Sequence, residues 1–289
     1  MRMALVTGGA GFIGTAVVRA LRAAGFEVRI AGTSSTADPL STRSLDPALD
    51  PSTELIVHCA GGSSVAASIA DPAADHAKTV PPFAALLDQV RARAPGARVV
   101  LLSSAAVYGD ADVVPTPETS PPAPRSPYGV HKRACDELCS AHGREHGTAS
   151  IALRLFSVYG RGLRRQLLWD ACCRARAGAP AFAGTGDEER DWLHVDDAAA
   201  LVVAAAGHAS AAAPVVNGGT GVGARVRDVV GQIARELDAP APRFSGEVRA
   251  GDPMRYVADI ARARALGWAP RVDLARGISE YVAWFRTQA

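Results

Sequence analysis

The chain has 289 residues, of which 48% are hydrophobic and 21% charged, and its 31 basic and 29 acidic residues leave a formal net charge of +2. This balance argues against the basic surface that nucleic-acid binding requires, and no apolar run reaches the roughly 18 residues that span a bilayer. The length predicts one large domain or two smaller ones, and no signal peptide precedes the first strand-like run, so we expect a cytoplasmic protein without nucleic-acid or membrane partners.

Short apolar runs alternate with amphipathic helical stretches over the first two thirds of the chain. Strands are predicted at residues 4–7, 28–31, 55–59, 99–103 and 151–155. Helices are predicted between them, at 15–24, 82–93 and 128–142. Strands separated by helices form parallel βαβ units, and near-continuous apolar strands are typical of a sheet covered on both faces. The pattern predicts an α/β fold with a Rossmann-type, doubly wound parallel sheet.

A glycine-rich turn directly follows the first predicted strand and opens the first predicted helix. Gly8, Gly11 and Gly14 recur at every third position of this turn. Positions without side chains allow a tight turn and a close approach of the backbone to a pyrophosphate, and the helix N-terminus offers free N–H groups to that anion. A turn without a ligand is the alternative interpretation, but the strand–turn–helix context favours a dinucleotide.

The residues after the second predicted strand bear on the choice of dinucleotide. An NAD-preferring site usually carries Asp or Glu there for the ribose 2′-hydroxyl. This chain instead has the hydroxyl side chains of Thr33, Ser34 and Ser35. They could accept a 2′-phosphate, with help from Arg29 or Arg43. The sequence therefore favours NADP(H), and NAD(H) remains the alternative.

Three further residues form a candidate catalytic set. Ser104 follows the fourth predicted strand, and ligands of open α/β sheets lie outside the carboxyl ends of strands. Tyr128 and Lys132 are four residues apart and project from one helical face. A nearby ammonium favours the phenolate form of a tyrosine, which makes Tyr128 a candidate acid and base for a substrate hydroxyl. Each of these features alone has a structural explanation. Because all of them follow the glycine-rich turn in one chain, we interpret them together as a catalytic site.

The alternation of predicted strands and helices becomes less regular after Leu155, where proline and glycine clusters become frequent. We predict a dinucleotide-binding Rossmann domain formed by residues 1–157 with 190–220. Residues 158–189 with 221–289 would form a smaller C-terminal substrate-binding lobe. The five cysteines have neither CxxC nor zinc spacing, so we predict reduced packing thiols and no metal site.

Taken together, these residues resemble the extended short-chain dehydrogenase/reductase family, in its branch of nucleotide-sugar epimerases, dehydratases and reductases. The resemblance runs over nearly the whole chain. It also rests on the segments 58–61, 153–160, 190–197, 217–221, 249–252 and 266–270.

The resemblance implies roles for individual residues. The dinucleotide would be held by Gly8, Gly11, Phe12, Ile13, Gly14, Leu45, Asp46, Ala60, Gly61, Tyr128 and Lys132, with Asp46 at the adenine amino group. A nucleotide-diphosphate sugar would be held by Ser63, Ser104, Ser157, Arg190, Arg249 and Asp252. Of these, Arg190 and Arg249 would clamp the diphosphate through paired N–H donors, and Asp252 would lie near the substrate ribose.

The chain also departs from the family pattern. Ala105 and Ala106 stand where the 4,6-dehydratases carry acidic residues, which argues against that reaction. Ser157 and Thr79 replace asparagines that are common in relatives, and Arg161 replaces a common proline. These changes predict that the substrate is oriented differently from the family norm.

We interpret the chain as an oxidoreductase that reduces a 4-keto or 4-keto-6-deoxy nucleotide sugar, with Tyr128 as proton donor, Lys132 on the nicotinamide ribose and Ser104 on the same substrate oxygen. A 4-epimerase with retained NAD is the alternative. A non-catalytic dinucleotide sensor is a weaker one, because such proteins commonly lose the Tyr–Lys pair. Relatives also predict a homodimer through the helices at 82–93 and 128–142.

Overall fold

The structure, a computed structural model, describes residues 2–31, 49–247 and 254–288. Its strands are β1 (Arg2–Thr7), β2 (Phe26–Ala31), β3 (Thr53–His58), β4 (Arg98–Ser104), β5 (Ser150–Leu155), β6 (Ser157–Tyr159), β7 (Ala181–Phe182), β8 (Glu189–His194), β9 (Val215–Gly218), β10 (Gly223–Arg225), β11 (Arg243–Phe244) and β12 (Arg255–Tyr256). Its α-helices are α1 (Phe12–Ala23), α2 (Val65–Ala70), α3 (Pro72–Arg93), α4 (Pro127–His146), α5 (Gln166–Arg176), α6 (Val195–Ala206), α7 (Val226–Glu236), α8 (Ala261–Ala265) and α9 (Leu274–Arg286).

The central sheet has six parallel strands in the order β2-β1-β3-β4-β5-β9. From β1 the chain passes through α1 to β2 at one edge, and it then returns to β3 on the other side of β1. The direction of winding therefore reverses between β1 and β3, which is where doubly wound sheets bind ligands. The fold class predicted from the sequence is confirmed.

Apolar side chains cover both faces of this sheet. In β1, Ala4 and Val6 pack into the cluster that holds Val17 of α1 and Leu201 of α6. Leu5, which lies between them and points the opposite way, packs into the cluster of α3 and α4. This two-sided burial explains why the strands read as continuous apolar runs.

A third apolar cluster lies around β8, which pairs with β6 and β12 in parallel and with β10 in antiparallel fashion. The cluster contains Tyr159, Trp192, Ile233, Tyr281 and Phe285, contributed by β6, β8, α7 and α9. The domain boundaries given above stay a prediction, but this separate core is what a smaller lobe needs for its own packing.

Helix α3 begins ten residues earlier than the sequence predicted. It starts at Pro72 and runs through Pro81 and Pro82, the second of which was predicted to be its first residue. Asp71 caps its N-terminus by accepting a hydrogen bond from the Ala74 N–H at 2.9 Å, and proline is well suited to the first helical position. The internal prolines are tolerated because apolar packing against the sheet and α4 holds the helix.

Candidate active site

The glycine-rich turn forms a cradle at the N-terminus of α1. Gly8 adopts a positive φ of 67°, and its carbonyl accepts a hydrogen bond from the Gly11 N–H at 2.9 Å. A Cβ on Gly14 would lie 2.1 Å from that carbonyl oxygen, so only glycine fits there. Gly11 precedes the helix without a side-chain cap, which leaves the first helical N–H groups, at Phe12 and Ile13, for an anion.

The segment after β3 lies against this turn. A Cβ on Gly8 would lie 2.8 Å from the Ala60 backbone nitrogen, and Gly61 follows with a φ of 118°. The candidate residues Gly8, Ala60 and Gly61 are therefore neighbours at the point where the winding of the sheet reverses. Two backbone segments this close, with an uncapped helix N-terminus beside them, fit the pyrophosphate of a dinucleotide.

The other cofactor candidates lie in a part of the chain that the structure does not cover. Thr33, Ser34, Ser35, Leu45 and Asp46 are outside the described residues, as are Arg43, Arg249 and Asp252. Arg29 lies on β2 and forms an ion pair with Asp50. That pairing makes Arg29 a poorer candidate for a 2′-phosphate than the sequence suggested.

Strand β4 and helix α4 bring the three candidate catalytic residues into one region. Ser104 ends β4, and its Oγ accepts a hydrogen bond from the Ala106 N–H at 3.2 Å. Lys132 is 5% exposed, and its Nζ donates to the Leu102 carbonyl oxygen of β4 at 2.9 Å. The same Nζ lies 5.9 Å from the ring centre of Tyr128, one helical turn earlier. The lysine thus ties the tyrosine helix to the strand that carries the serine.

A buried polar network that the sequence did not reveal lies one turn further along α4. Asp136 Oδ2 accepts a hydrogen bond from Arg154 Nε at 2.9 Å, and both side chains are buried. The Arg154 guanidinium lies 4.7 Å from the centre of the Tyr108 ring, whose hydroxyl donates to Asn217 Oδ1 at 2.7 Å. Burial raises the pKa of Asp136, although the Arg154 charge opposes the shift.

The second sheet brings further candidates toward this region. Arg190 lies on β8, and its register partner on β12 is Tyr256, whose ring packs 5.0 Å from that of Phe156. Burial raises the pKa of Tyr256, the nearby Tyr128 phenol adds to the increase, and Arg190 opposes it. Tyr256 is thus close enough to both Tyr128 and Arg190 for their charges to act on it. Tyr256 could not be predicted as a site residue, because a strand of two residues has no readable periodicity.

The remaining substrate candidates are spread more widely. Ser157 begins β6, where it pairs with Trp192 of β8. Ser63 is exposed, and its carbonyl accepts a hydrogen bond from Gln166 at 3.4 Å. Arg161, which departs from the family pattern but is not a substrate candidate, lines a cleft of about 970 Å³ that opens against the N-terminus of α1. Of the two serines, only Ser157 is on a strand of the second sheet.

His58 ends β3 beside these residues and is 2% exposed. Its Nδ1 lies 2.8 Å from Thr7 Oγ1, and its ring packs on Phe83 at 4.7 Å. Burial lowers the pKa of His58 to about 3, and the Lys132 charge adds to the decrease. His58 is therefore neutral in the folded protein throughout the physiological range.

This lowered pKa predicts acid sensitivity. Unfolded histidine titrates near pH 6.5, so the stability contributed by neutral His58 is complete above about 6.5 and is lost progressively as the pH falls toward 3. Linkage gives a loss of about 2 kcal/mol between pH 7 and pH 5. Urea unfolding at both pH values should show a smaller loss in His58→Gln than in wild type. Equal losses in the two proteins would contradict the prediction.

Over residues 2–31, 49–247 and 254–288, no three His, Cys, Asp or Glu side chains are grouped so that they could hold a metal ion. No helix in the same ranges combines the length and hydropathy needed to cross a membrane.

Comparison with known proteins shows the family to which the chain belongs. Residues 4–219 match the model of the family described as NAD dependent epimerase/dehydratase. The UDP-glucose 4-epimerase of Azospirillum brasilense is 32% identical, over 98% of this chain and 92% of its own. Among solved structures, MoeE5 in complex with UDP-glucuronic acid and NAD is 30% identical with a TM-score of 0.89, over 99% of both chains. The Thermotoga maritima UDP-glucose 4-epimerase with UDP-glucose is 28% identical with a TM-score of 0.87, also over 99% of both.

Proposed function

The chain belongs to the NAD dependent epimerase/dehydratase family, and we propose that it is a nucleotide-sugar 4-epimerase that works with a retained NAD. The observation that carries the proposal is the placement of Tyr128, Lys132 and the end of β4 together. UDP-glucose 4-epimerases are among the relatives that match over nearly their whole length, which supports a UDP-sugar as substrate. When bound, the dinucleotide supplies the acceptor and donor of the hydride.

Tyr128 would move the proton in this reaction. Its Oη would take the proton of the sugar hydroxyl while the carbon is oxidised, and it would return that proton when the carbon is reduced on its other face. The Lys132 ammonium would stand beside this proton transfer, since its Nζ lies 5.9 Å from the centre of the Tyr128 ring. Because the Leu102 carbonyl holds Nζ at 2.9 Å, this charge stays in place during turnover.

Ser104 would support the same sugar oxygen. Its Oγ already accepts a hydrogen bond from the Ala106 N–H, so its hydroxyl hydrogen is free to donate toward the substrate. An oxygen that receives a hydrogen bond from Ser104 and shares a proton with Tyr128 is held in one orientation. Fixing that orientation is worth orders of magnitude in rate.

The rest of the substrate would lie along β8 and the C-terminal segments. We propose that Arg190 and Arg249 clamp the diphosphate, with Asp252 near the ribose, and that Ser63 and Ser157 contact the substrate. Tyr256, the neighbour of Arg190, would pack against the sugar. A homodimer through α3 and α4 remains part of the proposal.

A net reduction with NADPH is the second candidate. The observation that favours it is the run Thr33, Ser34 and Ser35, which lacks the acid that usually contacts the ribose of NAD. A ketoreductase would use the same Tyr128 as proton donor to a 4-keto sugar. It differs from the epimerase in consuming one reduced cofactor in each turnover. A sensor without activity is disfavoured by the presence of Ser104, Tyr128 and Lys132.

One pair of incubations separates these candidates. The purified enzyme is given UDP-galactose without added cofactor, and a 4-keto-6-deoxy nucleotide sugar with NADPH. We expect UDP-glucose to form in the first incubation, with NAD recovered from the denatured protein. Stoichiometric NADPH oxidation in the second incubation, with no interconversion in the first, would replace the epimerase by the reductase. No reaction in either would contradict both.

A further inference from the structure

A buried carboxylate joins the helix that carries Tyr128 to the neighbouring helix. Asp75 lies on α3 with 1% of its surface exposed, and its Oδ2 lies 2.7 Å from Nδ1 of His131 on α4. His131 stands three residues after Tyr128, so the two share one side of the first turns of α4. The ring of His76, also on α3, lies 5.2 Å from the His131 ring. The proposed reaction gives no role to these three side chains of α3 and α4.

The side chain of Asp75 also packs against the loop that follows β3. Asp75 Oδ1, which has no hydrogen-bond partner among the described residues, would lie 2.1 Å from a Cβ placed on Gly62. Thr79 stands one turn after Asp75, and its Oγ1 accepts a hydrogen bond from the Gly62 N–H at 2.9 Å. Position 62 therefore needs glycine because Asp75 fills the space of a side chain. One face of α3 touches both the loop 60–64 and α4.

A second contact is a hydrogen bond made by the backbone of Tyr128 itself. Its backbone N–H is one of the first amides of α4, which have no acceptor within their own helix. Ser68 of α2 supplies the acceptor, at 3.0 Å from the Tyr128 nitrogen. Ser68 is fully buried, and its hydroxyl donates to the Val65 carbonyl at 2.7 Å. The segment just after the loop 60–64 is thus also tied to the start of the tyrosine helix.

We propose that Asp75 and His131 form a brace that sets the position of Tyr128 relative to the cofactor-lining loop 60–64. Both are positioning residues, since neither is placed to touch the substrate. The inference rests on the proposed role of Tyr128 as acid and base. Its physical basis is that the reacting groups must be held to a fraction of an ångström, because a misplacement of about 1 Å can lower a rate roughly a hundredfold.

Hydrogen exchange at two backbone amides tests whether the brace exists, independently of any catalytic activity. The Gly62 N–H is held by Thr79 on one side of it, and the Tyr128 N–H is held by Ser68 on the other. In His131→Leu, hydrogen exchange at both amides, measured by NMR, should accelerate by about tenfold or more, since local opening of the helix start becomes easier. His131→Asn should keep slow exchange, because its amide nitrogen can reach Asp75 as Nδ1 does. Unchanged exchange in His131→Leu would overturn the brace.

Steady-state kinetics test whether the brace affects catalysis by Tyr128. With UDP-galactose, His131→Leu should lower kcat by roughly tenfold to a hundredfold, leave KM within about twofold, and be rescued by His131→Asn. The matched control is His146→Leu, which removes an exposed histidine from the last turn of α4 and should leave kcat unchanged. Equal kcat in His131→Leu and wild type would overturn the positioning role. A wild-type enzyme that is inactive on nucleotide sugars would instead refute the proposed function, and the exchange result would still decide whether the brace exists.

Discussion

Tyr128→Phe will lower kcat for sugar interconversion by roughly a hundredfold to ten-thousandfold, which is the usual contribution of a positioned acid or base. The substitution removes only the hydroxyl that would move the proton. The aromatic ring, its 5.9 Å distance from the Lys132 nitrogen and the hydrogen bond from the Tyr128 N–H to Ser68 can all persist. Dinucleotide binding should therefore survive, since the glycine cradle is untouched. Turnover is measured with UDP-galactose, and binding by the fluorescence of reduced dinucleotide.

Tyr159→Phe provides the matched control. Tyr159 is fully buried, and its hydroxyl has no hydrogen-bond partner among the described residues, so the loss of this oxygen should leave kcat unchanged. If Tyr128→Phe kept wild-type turnover, the proton would have to move through another group. If it lost dinucleotide binding as well, the hydroxyl of Tyr128 would be needed to hold the cofactor, and the loss of turnover would not measure proton transfer.

The parts of the site that could be predicted from sequence are those built from short-range spacing. The cradle of Gly8, Gly11 and Gly14 needs side-chain-free positions within one turn, and this requirement is visible in the sequence itself. Tyr128 and Lys132 share a helical face because they are four residues apart. Strand composition also sufficed for the central sheet, since burial on both faces demands continuous apolar runs.

The parts that could not be predicted depend on residues far apart in the chain. Asp75 and His131 are separated by 56 residues, and each alone resembles an ordinary polar helix residue. The start of helix α3 is also hidden in the sequence, because prolines normally end helices, whereas Asp71 and packing against the sheet stabilise this helix from Pro72 onward. Tyr256 is brought beside Arg190 by the pairing of β12 with β8. Sequence periodicity contains no information on such contacts.

The buried ion pair behind the site leads to the second large effect, on stability. Asp136→Ala should lower the free energy of unfolding by about 3 to 5 kcal/mol, because it leaves the Arg154 charge buried without its partner. Both side chains are less than 10% exposed, and Arg154 is also fixed on the Tyr108 ring. Urea unfolding measures the loss, and an unchanged m-value would show that the unfolded state is not the cause.

Two variants show that the cost comes from the unpaired charge. Glu137→Ala, at the next position of α4, breaks the exposed pair with Arg133 and should cost less than about 1 kcal/mol. The double variant Asp136→Leu with Arg154→Met removes both charges and fills the space with apolar atoms. It should recover most of the stability lost in Asp136→Ala, because a buried pair can be replaced by well-packed apolar side chains at little cost. If the double variant were no more stable than the single one, the pair's role would be packing against Tyr108 and not charge compensation. If Asp136→Ala cost no more than Glu137→Ala, water would have to reach the Arg154 guanidinium when its partner is removed.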